Sequence, residues 1–158
     1  MAKYENIVYF HDYICLNFDW YEGFLKFGNN WKVCMNVIKN PDNTRFRDWN
    51  LWIFDIEKVI PQIEKTREVL ISYDMTHLSK YMYISGSYWV AKKSVMEEFP
   101  LNEFLLWEQG EDVEWSQRVR EKYNFSMNPY SLVKLIKHKD IDFIECSEKT
   151  LKKLKNLK

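Results

Sequence analysis

A buried strand stands almost at the start of the chain. Residues 6–11 read Asn-Ile-Val-Tyr-Phe-His, a β-branched and aromatic run that is typical of a strand inside a sheet. The run ends abruptly in the polar sequence Asp12-Tyr13. Almost nothing precedes this strand to cover its neighbours, which is unusual for a complete domain. The remaining strands and helices must therefore be arranged around an element that the chain supplies first.

Strand and helix patterns intermix along the rest of the sequence. The predicted helices are a short one between Asp19 and Gly28, residues 57–71, residues 92–99, residues 111–123 and a Lys/Leu-rich helix within residues 141–158. The further predicted strands are residues 31–38, 81–85, 88–91 and 131–137. This mixture predicts a single α/β domain over residues 1–158, with a mixed sheet flanked by helices.

Composition excludes several classes of protein. Lys plus Arg and Asp plus Glu both number 23, whereas a general nucleic-acid binder carries an excess of positive charge. No apolar run is long enough to span a bilayer, and the amino terminus lacks the apolar core of a signal peptide. The three cysteines, Cys15, Cys34 and Cys146, form no CxxC pair, and we expect them to be buried or partly buried thiols. We expect a soluble, cytoplasmic protein with no nucleic-acid partner and no transmembrane segment.

Two of the four segments suited to chemistry follow or join predicted strands. His11 and Asp12 stand at the carboxyl end of the first strand. There an imidazole and a carboxylate can bind a divalent cation, and the oxygens of a diphosphate can complete its coordination shell. The alternative is an aspartate that caps a turn and a histidine that packs in the core. Gly86-Ser87 lies between two aromatic strands, where glycine lets a backbone or a ligand approach closely. The alternative there is a bulge or turn.

The other two segments stand around the late predicted helix. Glu111 and Asp112 open that helix directly after Gly110, a position that keeps a carboxylate ionised and directed outward, as a general base requires. Simple helix capping is the alternative. His138 follows a predicted strand and is either a ligand or a structural side chain.

The order and spacing of these segments resemble the second half of a GT-A-type glycosyltransferase, as in the large family 2 of inverting enzymes. The resemblance covers residues 6–139, and residues 107–120 are its most specific part. Glu111-Asp112 matches the x-Glu-Asp motif, whose aspartate is the catalytic base. His11-Asp12-Tyr13 sits at the Asp-x-Asp metal motif, Gly86-Ser87 at the acceptor loop, and His138 at a late metal-binding histidine.

Two departures from the family pattern matter. The metal motif here is His11-Asp12-Tyr13, and a tyrosine cannot replace a carboxylate. The nucleotide-binding half of the family lies before the metal motif, but here only about ten residues precede it. The resemblance therefore implies that residues 1–140 are a GT-A-like catalytic and acceptor half without the donor-binding half.

The implied activity is transfer of a sugar from a nucleotide-sugar donor to an acceptor hydroxyl, with inversion. Without the donor-binding half, the resemblance also allows a chain that is inactive alone. The resemblance implies Mn²⁺ or Mg²⁺ held by Asp12, His138 and His11, with Asp112 as base and Glu111 at acceptor hydroxyls. Candidate substrate contacts are Gly86, Ser87, Trp89, Trp107, Trp115, Arg45, Arg47 and Asp48. For each tryptophan the alternative is a place in the core, and for the Arg45–Asp48 segment it is a local ion pair.

Two other functions compete with transfer. The chain can be a non-catalytic truncated relative, a binding or assembly module that dimerises or meets a partner chain through the strand at residues 6–11. A metal-dependent hydrolase using His11, Asp12, Asp112 and His138 is the third hypothesis, although their spacing matches no known metal-ligand pattern. Transfer predicts that Asp12, Asp112 and His138 converge on one cleft beside Gly86.

Overall fold

Two mixed β-sheets and three helices make up the described part of the chain. The computed structural model describes residues 3–52, 68–76, 81–105, 110–140, 144–145 and 152. The strands are β1 (Asn6–Phe10), β2 (Ile14–Leu16), β3 (Val33–Lys39), β4 (Asn50–Trp52), β5 (Glu68–Leu70), β6 (Met82–Tyr83), β7 (Tyr88–Lys92), β8 (Phe125–Leu135) and β9 (Ile144–Glu145). The helices are α1 (Trp20–Phe27), α2 (Lys93–Glu98) and α3 (Glu111–Arg120).

The larger sheet has the strand order β1-β7-β3-β8-β2, and the smaller sheet has the order β6-β4-β5-β9. In the larger sheet β7 runs antiparallel to both β1 and β3, and β3 runs parallel to β8. The strands β1, β3 and β8 therefore share one direction, and their carboxyl ends meet at one edge of the sheet. The backbone N–H of His11, just after β1, donates to the carbonyl of Ser87, just before β7, at 3.1 Å.

Helices cover both faces of the larger sheet. Because side chains alternate across a strand, Val90 and Trp89 of β7 point to opposite faces. Val90 lines a groove together with Phe24 of α1, whereas the ring of Trp89 stacks on Trp115 of α3 with centroids 5.0 Å apart. The core therefore has one layer beneath α1 and another beneath α3.

A ladder of hydrogen bonds fixes α3 against β6 and the chain that follows it toward β7. Its three rungs join Asp112 to Gly86, Ser116 to Ile84 and Arg120 to Met82. Four residues of helix rise about 6 Å and two residues of extended chain about 6.6 Å, so the two repeats stay in step over three rungs. We call this contact the α3 ladder; it determines where the start of the helix lies.

The mixed α/β class and several predicted elements are confirmed. Helix α1 ends at Gly28, whose φ of 86° is in the left-handed region that favours glycine, although Asp19 makes no capping hydrogen bond with its side chain. The helix predicted over residues 57–71 is wrong at Glu68–Leu70, which is strand β5; residues 53–67 lie outside the described part. Strand β8 begins at Phe125, before the predicted start at residue 131.

The predicted C-terminal helix within residues 141–158 lies outside the described residues, except for the backbone of β9 and Lys152. Cys146 is outside as well. Cys34 is a buried free thiol, as predicted, whereas the free thiol Cys15 is exposed, so its predicted burial was wrong. None of the described helices combines the length and apolar character needed to cross a membrane.

Gly23 is where α1 packs most closely on β8, and Gly23→Ala tests that contact. A Cβ at residue 23 would overlap the Ser131 hydroxyl and the Tyr130 carbonyl. Alanine favours a helix by about 1 kcal/mol over glycine, but overpacking against a backbone carbonyl costs more. We expect a net loss of about 1–2 kcal/mol in the free energy of unfolding, measured in urea. The exposed neighbour Glu22→Ala should change it by less than about 0.5 kcal/mol, and unchanged stability of Gly23→Ala would contradict the packing.

Candidate functional site

Asp112 lies at the amino end of α3, directly against Gly86. Its Oδ2 accepts a hydrogen bond from the Gly86 N–H at 2.8 Å. A Cβ at residue 86 would lie 3.3 Å from that oxygen, closer than a side chain sits comfortably. Gly110, which precedes the helix, has a φ of 69°, and this left-handed turn leads the chain into α3. Two glycines therefore allow the carboxylate to take this position.

The environment of Asp112 raises the pKa of its carboxyl group above the ordinary value. Burial is the largest cause, and the negative charge of Glu111 adds to it. The N–H groups of Gly86 and Val113 and the positive charge of Arg47 oppose the increase without cancelling it. When ionised, Asp112 is therefore a stronger base than an exposed aspartate, which suits proton abstraction.

A polar cleft of about 250 Å³ opens beside Asp112. Its lining residues are Arg47, Trp52, Glu68, Tyr83, Gly110, Glu111, Asp112 and Val113. Arg47 Nη2 lies 2.7 Å from Glu68 Oε1, and Glu68 is only 5% exposed. The backbone of Arg47 has a φ of 34°, in the left-handed region that non-glycine residues rarely adopt. We refer to this space as the polar cleft; the smaller sheet forms one wall and the start of α3 the other.

Aromatic rings lie on the other side of Asp112. Tyr9 stacks on Trp89, and Trp89 stacks on Trp115, each pair with centroids 5.0 Å apart. Trp115 has no exposed surface and donates its indole N–H to the Phe99 carbonyl at 2.7 Å. Trp89 is 3% exposed. Trp89 and Trp115, which were predicted to stack on a sugar, therefore lie in the core, and their rings are covered by other protein groups. A place in the core was the alternative prediction for each tryptophan.

The remaining predicted substrate contacts are engaged with other protein groups. The Ser87 hydroxyl and the Tyr13 hydroxyl lie 2.9 Å apart. Arg45 forms a two-nitrogen contact with the buried carboxylate of Asp48, which also accepts a hydrogen bond from the Tyr73 hydroxyl at 2.6 Å. This is the local ion pair that was the alternative for that segment. Trp107 lies outside the described residues.

The three predicted metal ligands are each held in a local contact or exposed. The ring of His11 stacks on Tyr13 at 5.1 Å, and Asp12 is exposed. In His138, Nε2 lies 2.9 Å from Asp140, and Nδ1 lies 3.5 Å from a different carboxylate, that of Asp42.

As described, these side chains do not form a donor set for a divalent cation. Within the described ranges, no group of three or more His, Cys, Asp or Glu side chains is placed to hold a metal ion. The site for Mn²⁺ or Mg²⁺ stays a prediction of the sequence.

The structure places Gly86 against Asp112, and the charges of Glu111 and Arg47 act on the same carboxylate. Among the described residues, Asp112 forms no hydrogen bond with Asp12 or His138, so the convergence of the three side chains stays a prediction. Sequence reasoning missed three lining residues of the polar cleft: Trp52, Glu68 and Tyr83. Pairing of strands distant in sequence brings them there, and no local pattern carried that signal.

Comparison with protein-family models, with curated proteins and with solved structures gives no match for this chain. The chemistry of the site therefore rests on its own geometry and on the residues that form it.

The pKa of Asp112 can be measured by following its carboxyl carbon by NMR during a pH titration. We expect a pKa above the ordinary value, raised further in Arg47→Gln and lowered in Glu111→Gln, because these charges act in opposite directions. Since the pKa is higher in the folded state, this group favours folding at low pH, and that contribution is lost as the pH rises through the folded pKa. Glu98, bonded to Lys122, serves as the internal control with a lowered pKa. An Asp112 pKa below that of Glu98 would contradict this account.

Proposed function

We propose that this chain is the catalytic and acceptor half of a GT-A-like glycosyltransferase, with Asp112 as the base. One observation carries the proposal: Asp112 is held by the Gly86 N–H at 2.8 Å on the wall of a cleft large enough for one monosaccharide unit. An acid–base carboxylate, a glycine beside it and a cleft in front of it are the parts that acceptor activation requires. The mixed α/β architecture is compatible with this assignment.

The proposed reaction is a single displacement with inversion. Asp112 accepts the proton of an acceptor hydroxyl while that oxygen attacks the anomeric carbon of the donor. A new carbon–oxygen bond forms, and the bond to the nucleoside diphosphate breaks on the opposite face, so the diphosphate leaves with the electron pair. Holding both reactants in line lowers the entropic part of the barrier. Glu111, adjacent to the base in the same cleft, accepts hydrogen bonds from other acceptor hydroxyls.

The donor is identified first by thermal shift of the purified chain with a panel of nucleotide sugars, with and without Mn²⁺. A ligand that binds only the folded state raises the apparent stability by mass action. We expect one donor to raise the melting temperature, and we expect Asp12→Ala to abolish any part of the shift that depends on Mn²⁺. A panel with no shift would show that this chain has no working donor site of its own and would count against transfer by this chain alone.

The base is then tested with Asp112→Asn, which keeps the shape of the side chain but cannot take the proton. We expect release of the nucleoside diphosphate to slow by about 10²–10⁴-fold, the usual contribution of general base catalysis. The matched control is Glu114→Gln on the same helix, because Glu114 pairs with Arg118 and does not line the polar cleft. Equal release rates for Asp112→Asn and the unmodified chain would show that Asp112 is not the base.

A second candidate, the assembly module, is favoured by the outer edge of β1. Backbone hydrogen bonds join His11 to Ser87 and Lys93 to Glu5. The backbone N–H and C=O groups of the odd-numbered residues of this strand therefore point toward β7. The backbone groups of the even-numbered residues therefore face the open edge, and no other described strand pairs with it. Beside this edge lies a groove of about 380 Å³, lined mainly by apolar side chains that include Val8 and Phe24.

The assembly module predicts self-association through β1. Sedimentation equilibrium should show a dimer that Phe10→Lys weakens, because Phe10 is 50% exposed at the end of this strand and a lysine on an edge strand disfavours edge-to-edge pairing. Phe18→Lys is the control, since Phe18 is 93% exposed but lies outside the strand. A chain that stays monomeric at all concentrations would argue against the module.

A further inference from the structure

The polar cleft combines an aromatic wall, an ion pair and two further carboxylates. Trp52 and Tyr83 meet edge to face, with centroids 5.5 Å apart, and Trp52 is partly exposed where it lines the cleft. An aromatic ring next to carboxylates and a guanidinium group matches the two sides of a sugar ring, one apolar and one bearing hydroxyls. The wall therefore favours a carbohydrate over a simple alcohol.

The charges that line the cleft are unequal. The positive charge of Arg47 is balanced by Glu68, whose Oε1 lies 2.7 Å from Nη2. Glu111 and Asp112 then leave the lining residues with an excess of negative charge. An anionic ligand in this half-buried space would meet the negative charges of Glu111 and Asp112 at short range. The low effective dielectric there makes the repulsion strong.

The guanidinium group still has donors to offer. Arginine carries five N–H donors in a fixed fork, and the ion pair with Glu68 uses one of the terminal nitrogens. Arg47 Nε is buried without a hydrogen-bond partner among the described groups, so a donor to a ligand in the cleft would be a terminal nitrogen of the guanidinium group. Its backbone is held at a φ of 34°, a conformation that persists only where surrounding structure imposes it. The side chain is therefore positioned by Glu68 and by its own backbone, with capacity left for a hydroxyl oxygen.

We propose that the polar cleft selects a neutral or amino-bearing sugar as acceptor and rejects anionic sugars, and that the Arg47–Glu68 pair determines this selection. That the bound sugar is an acceptor rests on the proposed function, but the binding preference itself is measurable without a donor. Trp52 contacts the apolar face of the sugar ring, Arg47 donates to its hydroxyls, and the pairing by Glu68 withholds the positive charge that an acidic sugar would need.

Binding is measured by ¹H–¹⁵N NMR titration of the full chain, followed at the indole N–H of Trp52. The probes are methyl β-glucoside, glucosamine and glucuronate, which are neutral, cationic and anionic. We expect the first two to move the Trp52 resonance and glucuronate to bind at least about tenfold more weakly, because of the like charges. Glucuronate that binds as well as methyl β-glucoside would overturn the inference, as would a Trp52 resonance that none of the three moves.

Glu68→Gln tests the pair directly. Removing the partner leaves the Arg47 guanidinium free to bind a carboxylate, so glucuronate binding should strengthen about tenfold while methyl β-glucoside changes less. Glu114→Gln makes the same change of charge outside the cleft and should keep the original order of affinities. If Glu68→Gln does not fold, Glu111→Gln also removes a negative charge from the cleft and should improve glucuronate binding in the same direction. Unchanged glucuronate affinity in the folded variant would overturn the role of the pair.

The outcomes separate this inference from the proposed function. Neutral sugars that bind at Trp52 without any transfer would overturn the transferase and leave the selectivity in place. Transfer that depends on Asp112 but proceeds equally well to glucuronate would overturn only the selectivity.

Discussion

The α3 ladder is the contact on which the rest of the site depends. It joins a helix to an extended segment by side chains four residues apart that meet backbone groups two residues apart. The two repeats differ by only about 0.6 Å per step, so three rungs form without bending either element. Ser116 has a central place in this ladder, because its hydroxyl lies between the Asp112 carbonyl and the Ile84 N–H. Asp112 is thus held at its carboxylate by the Gly86 N–H and at its backbone carbonyl by the Ser116 hydroxyl.

The ladder also supplies hydrogen bonds that favour the charged form of a partly buried carboxylate. Burial alone disfavours the charged form of Asp112, and the N–H groups of Gly86 and Val113 act in the opposite direction. Those donors belong to the ladder and to the first turn of α3, so the same contact that positions the oxygens also helps to keep them ionised. Behind them, Trp115 packs against Trp89 and prevents the helix from moving toward the sheet. Position and charge state are therefore set together.

Local signals in the sequence were enough to predict the site only where the structure itself is local. Glycine followed by two acids predicted the start of α3, and an aromatic run predicted β1. The prediction that β1 is buried was wrong, because it lies at the edge of the larger sheet and its residues stay partly exposed. Glu68 could not be assigned from its neighbours, because its surroundings favoured a helix, whereas pairing with β4 makes it a strand residue. The sequence around Trp115 did not show whether its side chain faces a substrate or the core. Its packing against Trp89, a residue distant in sequence, places it in the core. What the sequence left open was the pairing of distant segments.

The base and the wall opposite it therefore come from different parts of the fold. Asp112 belongs to α3 and depends on the ladder, whereas Glu68 belongs to the smaller sheet and depends on strand pairing. The two parts are connected through β6, which pairs with β4 in that sheet and also carries Met82, the last rung of the ladder. A change in the sheet can alter which ring fits the cleft without moving the carboxylate, since Asp112 is held by bonds that the sheet residues do not make. Chemistry and selectivity can thus vary separately in such an arrangement, in which β6 connects the two walls.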